Sequence, residues 1–98
     1  AYTGSKHGIV GFTKSFAAEL GASGVTCNAI APGYFETELN RPLMDDPAFV
    51  AFVNQRTPLR RWGKPEELAG AALFLASPAA SYVNGHVLAV DGGLTTTI

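Results

Sequence analysis

Cysteine is nearly absent from this sequence: Cys27 is the one thiol among 98 residues. A single thiol closes no internal disulfide, so a disulfide-stapled scaffold is excluded, and the default expectation is a reducing compartment, the cytoplasm. The thiol itself is expected to be buried and inert. Charge is also sparse, at 15% of residues against a usual share of about 25%, which predicts that part of the surface is contact area. Seven basic and eight acidic side chains give a net charge of -1, without the basic stripe that tracks a phosphate backbone, so no nucleic-acid partner is expected. The longest largely apolar run, AGAALFLA at 69–76, is far shorter than the roughly 20 residues of a membrane span, and no basic segment leads an apolar one as in a signal peptide. The two histidines, His7 and His86, lie far apart with no acidic or thiol cluster between them, so no metal site is expected.

The 47% of hydrophobic residues are enough for one small domain. Ile9, Phe12, Phe16 and Leu20 recur at spacings of three and four, with Val10 and Ala17 beside them, which predicts an amphipathic helix over 3–20 that ends at Gly21 and Gly24. Gly8 and Gly11 weaken such a helix and suggest the close approach of another backbone. VTCNAIA, 25–31, closed by Pro32-Gly33, reads as a strand covered on both faces. GYFETELNRPLMDD is a long irregular passage. Asp46 is the expected N-cap, and Pro47 the first residue, of a short helix bearing Phe49 and Phe52, which either pack in the core or line a pocket. Residues 34–56 thus suit a lid that exchanges amide hydrogens faster than 65–76. Pro65 opens a helix with Glu66 and Glu67 in its first turn and Leu68, Ala71, Ala72 and Leu75 as its stripe. Asn84-Gly85 turns into a final strand, HVLAV, that ends at Asp91-Gly92-Gly93.

Helix, strand, lid, helix, strand is an α/β order with parallel strands. Two strands alone are marginal, so further strands are expected from sequence ahead of Ala1. Within the first helix, Tyr2 and Lys6 stand at i and i+4, one turn apart. An ammonium so placed stabilises phenolate and makes tyrosine a usable acid–base group near neutral pH; the plain alternative is an exposed phenol and a solvated ammonium. Arg41, Arg60 and Arg61 could hold a carboxylate by forked bonds, or could be solvated or paired with Asp45, Asp46 or Glu38.

Tyr2-Thr3-Gly4-Ser5-Lys6 matches the Y-x-x-x-K of the short-chain dehydrogenases/reductases, and VTCNAIAPG, Thr37 and RWGKPEELAGAALFLASPAASYVNGHVLAVDGG follow in the order and at the distances found in that family. The resemblance spans essentially the whole sequence. It implies the C-terminal portion of a doubly wound Rossmann-type sheet: catalytic helix 1–24, strand 25–33, substrate lid 34–64, helix 65–78 and final strand 84–93. It implies Tyr2 and Lys6 as catalytic residues, and Lys6, Pro32, Gly33, Phe35 and Thr37 along the nicotinamide edge of an NAD or NADP site. The implied reaction interconverts a small-molecule alcohol and ketone. The similarity is strongest to the sugar-acid branch, with gluconate as an example; a 3-oxoacyl carrier-protein reductase is the enzymatic alternative. The family's glycine-rich fingerprint has no counterpart here, so the 98 residues alone are expected to be inactive and to self-associate as a dimer or tetramer.

Overall fold

The computed structural model describes residues 2–97, with side chains from Gly8 onward. The elements follow in the order helix α1 (Tyr2–Leu20), strand β1 (Ala29–Pro32), helices α2 (Arg41–Met44), α3 (Pro47–Arg56) and α4 (Pro65–Leu75), and strand β2 (Val87–Val90). β1 and β2 pair in parallel: the Ala29 amide donates to the His86 carbonyl, and the Gly33 amide to that of Val90, both at 2.9 Å. The chain divides into two compact units. One joins residues up to Ala31 with Ala72–Leu88, and the other joins Pro32–Ala71 with the segment from Ala89.

In the first unit α1 passes through a 3-10 turn, Gly21–Ser23, and stops at Gly24, whose φ of 79° suits a residue without Cβ. The face that α1 covers is the flank of the expected stripe, not its centre. Thr13 and Ala17 are buried and Val10 is half-buried, while Ile9, Phe12, Phe16 and Leu20 are exposed, Phe12 by 68%. The cause is the Asn84-Gly85 turn. Asn84 Nδ2 donates to the Ala17 carbonyl at 3.1 Å, and a Cβ on Gly85 would sit 3.4 Å from that of Ala17, so only a line of small residues admits the turn. Among the described residues nothing lies within 4 Å of a Cβ built on Gly8 or Gly11, so the close approach expected there is not made by them.

The first strand also starts later than 25. The Cys27 amide donates to Asn84 Oδ1, and the His86 amide to Asn28 Oδ1, so two asparagine side chains stand where a backbone ladder would run, and the strand proper begins at Ala29. Neither strand is covered on both faces: most residues of β1 and β2 are half-exposed, because two strands have no third to flank them among the described residues. Cys27 is likewise half-exposed rather than buried, which follows from its place ahead of the strand.

In the second unit half of the passage expected to be irregular is helical, a 3-10 turn at Glu38–Asn40 running into α2. Asp46 caps α3 as expected, Oδ1 accepting from the Ala48 amide at 3.0 Å. α4 starts in this unit and runs on to Leu75, three residues short of the expected 78; there, in the first unit, Ser77 caps a separate 3-10 turn, Pro78–Ala80. The core of the second unit is Phe35, Val53 and Trp62. The half-buried Phe49 packs against Tyr34 and Trp62, with ring centroids 5.7 and 6.2 Å away, while Phe52 is partly exposed beneath the Arg56 guanidinium.

Candidate active site and cofactor edge

Pro32 and Gly33 stand at the carboxyl end of β1, the edge where open α/β sheets bind ligands. Gly33 is required there by contact. A Cβ would lie 2.7 Å from the Asp91 Cβ and 2.8 Å from the Asp91 Cα, so the segments leaving the two strands touch at this residue. Phe35 follows, its ring buried against Gly63, where a Cβ would come within 2.5 Å of the ring. Its carbonyl accepts from the Thr37 amide and from Asn40 Nδ2, both at 2.9 Å, which folds the chain back on itself. Thr37 then starts the 3-10 turn, and its half-buried hydroxyl has no hydrogen-bond partner among the described residues. Pro32, Gly33, Phe35 and Thr37 are therefore brought onto one short stretch. The backbone of α1 puts residues 2 and 6 one turn apart, and the side chains of Tyr2 and Lys6 lie outside the described residues.

The three arginines are engaged within the chain. Arg41 pairs with Glu38 at 3.3 Å, one of the partners expected for it. Arg60, at a φ of 59°, turns its guanidinium onto the Asn54 and Gln55 carbonyls at the end of α3. Arg61 forms a forked pair with Glu67, 2.8 Å at each oxygen. Glu67 also accepts from the Lys64 amide at 2.9 Å, reaching back over the first turn of α4 as the third residue of a capping box does. The fork with Arg61, then the Lys64 amide, hold its carboxyl down at about 2 from an ordinary 4.5, and the same pairing raises Arg61.

Next to this edge lies a cleft of about 240 Å³. Tyr34 and Phe35 line it from beyond β1, Ala89–Gly93 from the end of β2, and Thr57, Leu59, Arg61, Gly63 and Glu67 from the connection before α4. The sequence singled out Arg61, but neither Thr57 nor the Arg61–Glu67 pairing. Glu67 carried a partial signal, being an acid in the first turn of a helix; a lone threonine before a proline carried none.

Residues 1–95 match a family described as enoyl-(acyl carrier protein) reductase. The 2-dehydro-3-deoxy-D-gluconate 5-dehydrogenase of Bacillus subtilis is 54% identical over 93 residues, which is 95% of this chain and 37% of that protein. A 3-oxoacyl acyl-carrier-protein reductase of Vibrio harveyi is 45% identical over 93 residues, again 95% of this chain and 37% of its own length. In structure, a gluconate 5-dehydrogenase from Burkholderia cenocepacia, solved with NADP and tartrate, superposes with a TM-score of 0.90 at 50% identity, covering 99% of this chain and 38% of that one. The chain belongs to the short-chain dehydrogenase/reductase family, and it spans under two-fifths of the length of these relatives. Its α/β architecture is that of the corresponding portion of their Rossmann-type fold.

Proposed function

We propose that this chain supplies the proton-transfer and substrate side of an NAD(P)-dependent dehydrogenase/reductase that interconverts an alcohol and a ketone on a sugar acid such as gluconate. The observation that carries this reading is the likeness, over nearly the whole chain, to gluconate-type dehydrogenases, one of them solved with NADP and tartrate. Tyr2 holds and releases the proton of the substrate oxygen. Lys6, one helical turn on, lowers the cost of the phenolate, as an adjacent cation does in a partly desolvated site. Lys6 also binds the nicotinamide ribose.

The residues at the end of β1 fit a nicotinamide edge: Thr37 offers a hydroxyl without a partner among the described residues, and Gly33 keeps the strand end narrow. The buried ring of Phe35 leaves its backbone as the part that meets a ligand. The bound dinucleotide supplies the hydride acceptor or donor. The dinucleotide is NAD or NADP.

The exposed line Ile9, Phe12, Phe16 and Leu20, in which the Phe12 and Phe16 rings stack at 6.2 Å, supports assembly into a homodimer or tetramer. The free Cys27 supports a cytoplasmic setting.

Kinetics of the full-length protein test the assignment. Tyr2→Phe is expected to lower turnover of gluconate by several powers of ten with cofactor affinity little changed, and Lys6→Ala to lower both. A Tyr2→Phe protein of near-normal rate removes Tyr2 from the chemistry. Turnover of a 3-oxoacyl carrier-protein thioester in preference to gluconate moves the substrate to the other branch.

A further inference from the structure

We infer that the cleft beside the strand ends takes the hydroxylated carbon chain of the substrate rather than its carboxylate, and that Thr57 is the residue that reads a hydroxyl there; the inference rests on the dehydrogenase reading above. Its first support is charge. Arg61 is the cationic side chain in the cleft wall, and both of its forked contacts go to Glu67. The Asp91 carboxylate is likewise occupied, Oδ1 by the Gly93 amide at 2.9 Å and Oδ2 by the Thr95 amide at 3.1 Å. A substrate carboxylate entering here would meet a cation whose fork is already taken by Glu67. A neutral hydroxyl needs no such cation.

The second support is Thr57 itself. It is 3% exposed and lines the cleft, yet its hydroxyl has no hydrogen-bond partner among the described residues. The residue is buried, but its hydroxyl oxygen is not one of the sealed-off polar atoms of this unit, so it is open to a ligand and can donate to and accept from another hydroxyl. Its direction is restricted by packing. The Thr57 methyl lies 2.8 Å from where a Cβ on Gly92 would stand, and Pro58 lies 3.0 Å from the corresponding position on Gly93. Leu59 ties the same turn down, its amide donating to the Gly92 carbonyl at 3.1 Å. With the methyl seated against Gly92, packing restricts the rotamers open to this β-branched side chain. A hydroxyl so restricted and otherwise unpaired, at the carboxyl ends of two parallel strands, is a means of reading one position of a polyol chain.

The test uses the full-length protein with Thr57→Val, which replaces the hydroxyl by a methyl of similar size, and Thr57→Ser, which keeps the hydroxyl. Gluconate, a neutral six-carbon polyol and a secondary alcohol with a single hydroxyl are titrated by ligand-observed NMR, a readout that persists if the protein turns none of them over. Thr57→Val is expected to weaken gluconate and the polyol alike, by about threefold to tenfold, as for the loss of one neutral hydrogen bond, and to leave the single-hydroxyl alcohol unchanged. Thr57→Ser is expected to stay within about twofold of the parent, a hydroxyl being enough for the one hydrogen bond. Parent-like binding by Thr57→Val overturns the inference, as does an equal loss in Thr57→Ser. A loss confined to gluconate overturns it as well, since that outcome assigns the cleft to the carboxylate. Absence of dehydrogenase turnover in the parent protein, with the binding pattern intact, counts against the proposed reaction and leaves the cleft assignment standing.

Discussion

Gly33→Ala puts one methyl group where the two strand ends touch. The new Cβ would lie 2.7 Å from the Asp91 Cβ and 2.8 Å from its Cα. Contacts this short do not occur between real carbon atoms, and the Cα belongs to the backbone, so no rotamer change relieves the clash. The strand ends must part instead, which stretches the bond of 2.9 Å from the Gly33 amide to the Val90 carbonyl. Overpacking of this kind costs about 1–3 kcal/mol. Against it stands the smaller entropy of an unfolded chain with alanine in place of glycine, about 0.4–1 kcal/mol. The net expectation is a loss of about 1–2 kcal/mol. For a protein of the size of its relatives this amounts to roughly 2–8 °C in Tm, at about 2–4 °C per kcal/mol. Urea unfolding of the parent and variant proteins, followed by far-UV circular dichroism, gives the free energy directly. A Gly33→Ala protein as stable as the parent would refute the reasoning, because it would mean that the strand ends separate without cost.

Two further expectations concern the surface. Because the folded pKa of Glu67 lies below its unfolded value, its pairing stabilises the fold above about pH 4.5 and is lost as pH falls toward 2. Glu67→Gln should therefore flatten the pH dependence of stability in that window, with an effect that shrinks in high salt because both partners are largely solvated; parallel acid limbs in parent and variant would discount the pair. Phe12→Asp, on the exposed face of α1, should reduce the mass of the full-length protein measured by light scattering after gel filtration, and an unchanged mass would clear this face of any part in assembly.

Local signals were legible where one residue type has one physical use. Asp46 before Pro47 is a cap and a start, and the structure uses it so. Pro65 with Glu66 and Glu67 opens α4, and Asn84-Gly85 turns into β2. The apolar period on α1 was legible as a helix but misleading as to its covered side. A stripe of Ile9, Phe12, Phe16 and Leu20 says that water is disfavoured on that face; it does not say which polymer removes the water. The side covered within the chain is marked by small residues, Thr13 and Ala17, whose signal is close approach rather than hydrophobicity. The start of β1 was lost for a related reason, since Asn28 and Asn84 carry out by side chain what a strand does by backbone, and an asparagine in a β-branched run does not announce its partner.

The candidate site shows the same division between near and far. Tyr2 and Lys6 are separated by one helical turn, so their relation can be read from spacing alone, and the Pro32-Gly33 pair marks a strand end by composition. What spacing cannot convey is which charges cancel. Three arginines around a predicted lid invite a carboxylate, and the sequence offers Asp45, Asp46 and Glu38 as local competitors. The partner that occupies Arg61 is Glu67, across a turn and into the next helix, where it also closes the helix start by accepting from Lys64. That double use decides the chemistry of the cleft. A glutamate that caps α4 is held beside Arg61 with or without a ligand, so a substrate carboxylate must compete with it for the guanidinium. On the inference drawn above, recognition in the cleft then falls to groups with no internal partner among the described residues, of which Thr57, its methyl packed at Gly92, is one.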